Sequence, residues 1–269
     1  MPAYAVLILF SITTLIPFAW MLSASLKPEK DVLRFPVQWI PEVMSFANYE
    51  QVFEEIPFAA YLLNSLKLAA TICVIQVFTS SMCGFAFAKL RFHFKKGLFM
   101  IYLASMMIPS QVIMIPQFQL MKALGLYNSH AAIICLQAFS TFGVFLMKQF
   151  MSSLPTSMLE SATIDGAGYF RTFITIVIPL CVASISSLAI ITFIMVMNDF
   201  MTPFLYLDNP ALKTLTLGLR SLATEYDGKN AAQMAGTVCA LIPMMTIYVL
   251  GQKQIVKGIA FNGGGSVKG

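Results

Sequence analysis

The chain has 269 residues, of which 58% are hydrophobic and 11% charged, and its formal net charge is +5. A soluble domain carries roughly a quarter charged residues, so this chain lacks the polar groups to cover a water-facing surface, and lipid is the solvent its composition fits. The basic excess sits in short segments flanking apolar runs, which reads as a topology signal and not as a nucleic-acid footprint.

Six runs contain no Asp, Glu, Lys or Arg: 1–26, 68–88, 97–121, 123–147, 172–198 and 230–252. Each reaches the roughly 20 residues a helix needs to cross the hydrocarbon core. A helix is required because lipid offers no partner to a free backbone group. The expectation is an all-α membrane protein forming a single domain over 1–269, with six spans at about 3–25, 61–88, 97–121, 128–150, 178–207 and 231–253.

The first span ends on Ser23-Ala24-Ser25, small residues of the kind found at cleavage sites. No basic n-region precedes them, the apolar stretch exceeds a signal peptide's roughly 7–15 residues, and Pro17 lies inside it; the expectation is a retained span. After Ser25-Leu26-Lys27 comes a segment, 27–58, with six acidic and three basic residues, punctuated by Pro28, Pro36, Pro41 and Pro57. It carries Trp39, Phe46 and the pair Asn48-Tyr49. It is too polar for lipid and reads either as a surface linker with interfacial aromatics or as a cap that docks an outside partner.

Asn64, Ser65 and Lys67, at the start of span two, read as interfacial anchors, and Gly84 with Ala88 forms a small-xxx-small pair suited to close helix packing. Span two ends in Phe85-Ala86-Phe87-Ala88-Lys89-Leu90, followed by a link holding Lys89, Arg91, Lys95 and Lys96. Lys148 and Arg171 flank the link after span four, and Lys253, Lys257 and Lys268 follow span six. With six spans these nine basic residues share one side, against seven in the outer loops, which places both termini in the cytoplasm. Span three holds Met107-Ile108-Pro109 and Pro116, where missing amide donors bend a helix; such bends either line a pathway or are simple packing kinks. Leu124-Gly125-Leu126 marks its exit.

Between spans four and five the chain turns polar. Pro155 suits a first helical turn, Gly166 and Gly168 permit a tight reversal, and Asp165 can accept from the free amides opening the next helix. Phe170, Phe173, Ile174 and Val177 then repeat at i, i+3, i+4 and i+7, predicting one apolar face. Pro179, within Ile178-Pro179-Leu180, ends or bends this helix where span five begins. The result is a compact knuckle joined to a membrane helix, which a second protein could grip and move.

Asn198 and Asp199, in Asn198-Asp199-Phe200, lie deep in an apolar stretch. An ionisable group there costs about 2.5–3.5 kcal/mol on insertion scales, so it must face the bundle or a watery cavity, either as a pathway contact or as an interhelical polar lock. Cys73, Cys83, Cys135, Cys181 and Cys239 show no CxxC spacing and read as packing residues. His93 and His130 have no partners at metal-ligand spacing and read as solvated loop residues. The tail 258–269 is glycine-rich and closes on Val267-Lys268-Gly269. No catalytic or metal set is present in the sequence, and no phosphate-binding loop of the form G-x-x-x-x-G-K-[ST].

Glu160-Ser161-Ala162, Asp165-Gly166-Ala167 and Ile178-Pro179-Leu180 together resemble the EAA coupling motif of binding-protein-dependent ATP-binding-cassette importers. With the other segments quoted above, the chain resembles a permease of the carbohydrate-uptake, maltose-type family, of the smaller six-span kind. The resemblance implies that 152–178 docks on a cytoplasmic ATPase through Glu160, Ser161, Ala162, Asp165, Gly166, Ala167, Phe173 and Pro179. It implies partners as well: a second, non-identical permease, two ATPase subunits and an extracellular solute-binding protein. ATP and Mg would sit on the ATPase, with no cofactor in this chain, and the location would be a bacterial plasma membrane. Sugar import is the leading reading; import of a polyol or glycerol phosphate, or action as a secondary transporter, are the alternatives. Three positions depart from the family pattern: Ser161 for alanine, Ala183 for proline and Met197 for tryptophan.

Overall fold

In lipid the backbone must satisfy its own hydrogen bonds. The computed structural model describes residues 2–222 and 229–263, and every regular element among them is helical. In chain order they are α1 (Pro2–Ser25), α2 (Glu29–Val32), α3 (Ala47–Glu55), α4 (Phe58–Lys89), α5 (Lys95–Ala104), α6 (Ser110–Ala123), α7 (His130–Gln137), α8 (Thr141–Ser152), α9 (Thr156–Ile164), α10 (Tyr169–Thr172), α11 (Ile178–Leu180), α12 (Val182–Met197), α13 (Met201–Tyr206), α14 (Leu215–Leu222) and α15 (Asn230–Gly263). A π-helical turn, Phe173–Val177, joins α10 to α11, and short 3-10 turns occupy Ser105–Met107 and Pro210–Leu212.

Among the described residues, three helices are long and apolar enough to cross a membrane: Ala3–Ser25, Phe58–Lys89 and Asn230–Gln254. Three bent pairs also qualify, giving up to six spans. Lys95–Met107 meets Ser110–Ala123 at 96°, where Ile108 turns extended before Pro109, as a residue preceding proline must. The expected fourth span is also broken: His130–Gln137 and Thr141–Ser152 meet at 41°. There Ser140 starts the second helix, its Oγ accepting from Gly143 N at 3.0 Å. Tyr169–Leu180 and Val182–Met197 meet at 81°, next to Pro179.

The chain divides into two compact units. Unit 1 comprises 1–65 and 213–245. Its core gathers Val52 of α3, Phe58 and Tyr61 of α4, Leu215 and Leu219 of α14, and Ala232 and Ala235 of α15. Asn48, buried, donates from Nδ2 to the carbonyls of Ser25 and Lys27, both at 2.8 Å, closing the C-terminus of α1. Ser25 Oγ and Tyr49 Oη lie 2.9 Å apart. The segments Ser25-Leu26-Lys27 and Asn48-Tyr49 therefore meet. Lys27 is buried, with Nζ donating to Gln38 O. Glu29 caps α15, its carboxylate accepting from Asn230 N at 2.9 Å and Ala231 N at 2.7 Å. The polar segment 27–58 is thus a folded part of unit 1. Asn64 and Ser65 serve α14: Asn64 Nδ2 donates to Lys213 O, and Ser65 Oγ accepts from Leu215 N. The hydroxyls of Ser11, Thr13 and Thr14 in α1 donate to carbonyls three or four residues back, which lets this exposed apolar helix meet lipid without a free donor.

Unit 2 comprises 66–212 and 246–269. One core cluster holds Leu68, Ile72, Met121, Ile133 and Tyr206; a second holds Phe85, Met147, Met151, Phe173, Val177 and Leu188. Gly84 lets α4 lie against α8, since a Cβ there would sit 2.7 Å from Met147 Cβ. His130, expected in solvent, is buried, and its Nε2–H donates to Leu212 O at 2.8 Å. The local sequence reads as loop, but the fold brings residue 212 over it. The tail expected at 258–269 lies beyond the described side chains, and its last six residues lie outside the described residues.

Candidate functional site

The knuckle is built as a helix, a stop and a widened turn. α9 ends in a motif with two bonds: Ala167 N donates to Ala162 O at 2.9 Å and Gly166 N to Thr163 O at 3.0 Å. Gly166 adopts φ +79°. This is a Schellman cap, in which a left-handed residue satisfies the last free carbonyls, and glycine adopts that conformation without a Cβ clash. Asp165 is the C-cap of α9. It does not cap α10, whose N-cap is Gly168, because the reversal takes two more residues before the next helix opens.

The expected apolar face also changes. The turn over Phe173–Val177 is π-helical, so its residues advance less than 100° each and the 3.6-residue spacing fails. Phe173 and Val177 are buried, whereas Phe170 is 63% and Ile174 42% exposed. Phe173 stacks against Phe85 of α4 with centroids 5.4 Å apart, and burial of such a side chain stabilises by about 1.5–3 kcal/mol. Leu154 and Leu159 pack on the same cluster. The knuckle is therefore fixed to α4 and α8 by apolar packing. Lys89 Nζ adds a polar tie, donating to Leu154 O at 2.5 Å.

Of the remaining residues, Glu160, Ser161, Asp165 and Gly166 face outward, while Ala162 is 5% exposed and packs inward. Ser161 Oγ returns to Ser157 O at 3.0 Å. Pro179 is exposed at the start of α11. On either side of the turn, Ile164 is 85% and Tyr169 72% exposed.

A second constellation lies at Asp199. α12 ends at Met197 and α13 begins at Met201, so Asn198 and Asp199 occupy a helix break and not a helix interior. Asn198 Nδ2 donates to Ile194 O at 2.9 Å. Asp199 Oδ2 accepts from Gln137 Nε2 at 2.6 Å, and Oδ1 accepts from Thr202 N at 3.1 Å, opening α13. Gln137 Nε2 also approaches Thr202 Oγ1 at 3.3 Å. Two cavities, of about 430 and 380 Å3, share Leu136, Gln137 and Asp199 in their walls. The breaks of two bent segments meet the α12–α13 break here: Ser110 lines one cavity, Phe139 and Ser140 the other, and Asp199 both. Irregular backbone at membrane depth is tolerated where it lines a cavity. Gln137 was not identifiable from sequence, where it is a single amide in an apolar run.

Residues 76–260 match the family of the binding-protein-dependent transport system inner membrane component. The chain belongs to this family. This inner membrane component is 28% identical over 265 residues to the lactose transport system permease protein LacG of Rhizobium radiobacter, covering 98% of this chain and 95% of that one. It is 32% identical over 259 residues to the arabinooligosaccharides transport system permease protein AraQ of Bacillus subtilis (strain 168), covering 95% and 92%. Its fold is shared with a chain of the crystal structure of a bacterial ABC transporter involved in the import of the acidic polysaccharide alginate: TM-score 0.83, 21% identity, 93% and 94% coverage. The resemblance carried by the coupling segment and the all-helical expectation are both borne out. The protein is a multi-pass membrane permease of the binding-protein-dependent ABC importer class.

Proposed function

We propose that this permease subunit imports an oligosaccharide by alternating access, driven by a separate ATPase docked on the knuckle. The observation that carries the reading is the α9–Gly166–α10 reversal: a rigid, outward-facing element packed through Phe173 onto the membrane helices. A force applied to such an element moves the helices with it. Glu160 offers a charged contact, and Ile164, Tyr169 and Phe170 offer an apolar one, to the cleft that receives it. Ser161, Ala162, Asp165 and Ala167 set the shape of the reversal, and Pro179 marks its junction with span five.

The full assembly comprises this chain, a second non-identical permease, two ATPase subunits that hold ATP and Mg, and an extracellular solute-binding protein. A solved alginate ABC transporter that shares this fold was crystallised with a periplasmic protein bound to an alginate pentasaccharide, which supports a binding-protein partner. The sugar reading draws support from relatives named for lactose and arabinooligosaccharides. Asp199 lies on the substrate pathway. The chain forms one permease domain with six spans in a bacterial plasma membrane, both termini and the knuckle on the cytoplasmic side. Lys89 and Leu154 bring the basic link after α4 and the start of the knuckle to one end of unit 2, in keeping with that topology.

Reconstitution tests this. The complex in lipid vesicles should take up oligosaccharide only with ATP and the binding protein present. Uptake by this chain alone, without ATP, would overturn the reading in favour of a secondary transporter.

A further inference from the structure

Two hollows in unit 2 adjoin at the end of α4, where Leu90 lines both. The first, of about 210 Å3, is an apolar groove: Met82, Phe85 and Ala86 of α4 form one wall, and Tyr169, Phe170 and Phe173 of the knuckle the other. The second, of about 440 Å3, is basic, with Arg91, Lys95 and Lys96 in its lining beside Phe92 and Phe94. No acidic residue lines either. Lys95 Nζ folds back to donate to Leu90 O at 2.8 Å and Ala88 O at 3.2 Å, which fixes the basic turn against the end of α4. Arg91 and Lys96 are exposed and, among the described residues, form no ion pair. α5 opens at Lys95 without a side-chain cap, and a helix N-terminus favours an anion. Phe94 is 85% and Phe92 40% exposed, and apolar surface beside cations suits a lipid boundary better than water. α4 is long and apolar enough to span, and it ends at Lys89. The basic hollow therefore stands at a membrane boundary. The groove runs from there back to Met82, about 10 Å of helix at 1.5 Å per residue.

We infer that the two hollows together hold one anionic phospholipid, its phosphate at Arg91 and Lys96 and one acyl chain in the groove between α4 and the knuckle. A soluble anion would use the basic hollow alone, and an uncharged apolar molecule the groove alone; their junction at Leu90 fits a molecule that carries both parts. Arginine pairs with phosphate through two parallel N–H bonds, and basic pockets between spans hold anionic headgroups. The groove is smaller than the roughly 300–1,000 Å3 of a small-molecule cleft and offers an acyl chain what hydrocarbon offers it. A chain seated there lies between α4 and Phe170, beside the Phe85–Phe173 contact that ties the knuckle to the membrane helices. Tyr169 and Phe170 keep most of their surface exposed, so both still present an apolar side to an ATPase. The inference needs only the membrane-permease assignment and not the sugar reading.

The test is lipid retention by the full-length chain, purified in detergent micelles doped with equal amounts of dioleoylphosphatidylglycerol and dioleoylphosphatidylcholine and read by native mass spectrometry. Wild type should retain phosphatidylglycerol in preference to phosphatidylcholine. Arg91→Gln with Lys96→Gln should cut that preference about tenfold or more. Gly97→Lys adds a cation to the basic hollow, at a position where a Cβ meets nothing within 4 Å, and should raise the preference, a gain that misfolding cannot imitate. Ala86→Phe fills the groove and should lower retention of both lipids. Equal retention of the two lipids by wild type, or a preference unchanged in both charge variants, would overturn the inference. Displacement of the lipid by equimolar glycerol phosphate would also overturn it, by showing an anion site with no use for a chain. So would an Ala86→Phe protein that keeps its lipid, and loss of a copurifying ATPase from that protein would assign the groove to the ATPase instead.

Discussion

Lys89 Nζ donates to the carbonyl oxygen of Leu154 at 2.5 Å and approaches Ser152 O at 3.4 Å. The last residue of α4 thereby holds the two carbonyls that lead into Pro155 and α9. A hydrogen bond to a charged group contributes about 1.5–3 kcal/mol, enough to set how far the knuckle moves independently of α4. Lys89→Met keeps the stem and loses the donor. It should leave insertion intact and raise the ATP hydrolysed per sugar imported in vesicles by about fivefold or more; an unchanged ratio would show that the tie carries no coupling.

Gly84 is a point of closest approach in unit 2. An added Cβ would meet Met147 Cβ at 2.7 Å and Lys148 N at 2.9 Å, and the backbone atom cannot rotate away. Gly84→Val should cost about 1–3 kcal/mol, read as a lowered midpoint in thermal unfolding of the detergent-solubilised protein. Gly97→Ala, inside α5 with nothing within 4 Å, is the control and should leave the midpoint unlowered or slightly raised, since alanine favours a helix over glycine.

Glu55 ends α3 and pairs with Lys229, just before α15, at 2.7 Å. That hydrogen bond, with a second from Gln51, holds the Glu55 carboxyl below its ordinary value of 4.5. A depressed carboxylate stabilises the fold above its unfolded value, and the contribution is lost as pH falls through the folded value. The pair is partly exposed, so its worth is at most about 1 kcal/mol. Amide exchange protection in α3 should decline on acidification below 4.5, and Glu55→Gln should show less of that decline. Identical acid profiles in the two proteins would rule the pair out as its cause.

Asn48 gives both hydrogens of its amide to the carbonyls of Ser25 and Lys27 from a buried position. Asn48→Ala leaves those carbonyls without donors, at about 1–3 kcal/mol. Faster proteolysis in the segment 27–46 of the variant is the expected readout, against an unchanged rate within α12.

The long apolar helices were legible because charge-free runs record what lipid excludes, and Pro109 and Pro179 mark two of the three sharp bends because a missing donor is a local property. Gly166 was readable for the same reason: its left-handed turn depends on residues 162–167 alone. What depended on residues distant in sequence was not readable. Gln137 meets Asp199 across 62 positions, and Lys89 meets Leu154 across 65; before folding, one is an amide in an apolar run and the other a positive charge near a span end. The apolar face at Phe170 and Ile174 failed because a π-turn changes the residue spacing on which periodicity depends. Asp165 failed as a cap because the number of residues in the reversal decides which end of which helix it serves.

The account depends most on the claim that the reversal at Gly166 is where an ATPase takes hold. Gly166 has φ +79° and its amide donates to Thr163 O. Gly166→Pro cannot adopt that φ and has no amide to donate, so it removes the cap without touching the core at Phe173. The decisive measurement is copurification of the ATPase with the variant permease, with Gly168→Ala, whose Cβ meets nothing within 4 Å, as the control. Normal membrane insertion with loss of the ATPase from Gly166→Pro alone is the predicted result; an ATPase retained at the wild-type ratio would contradict it.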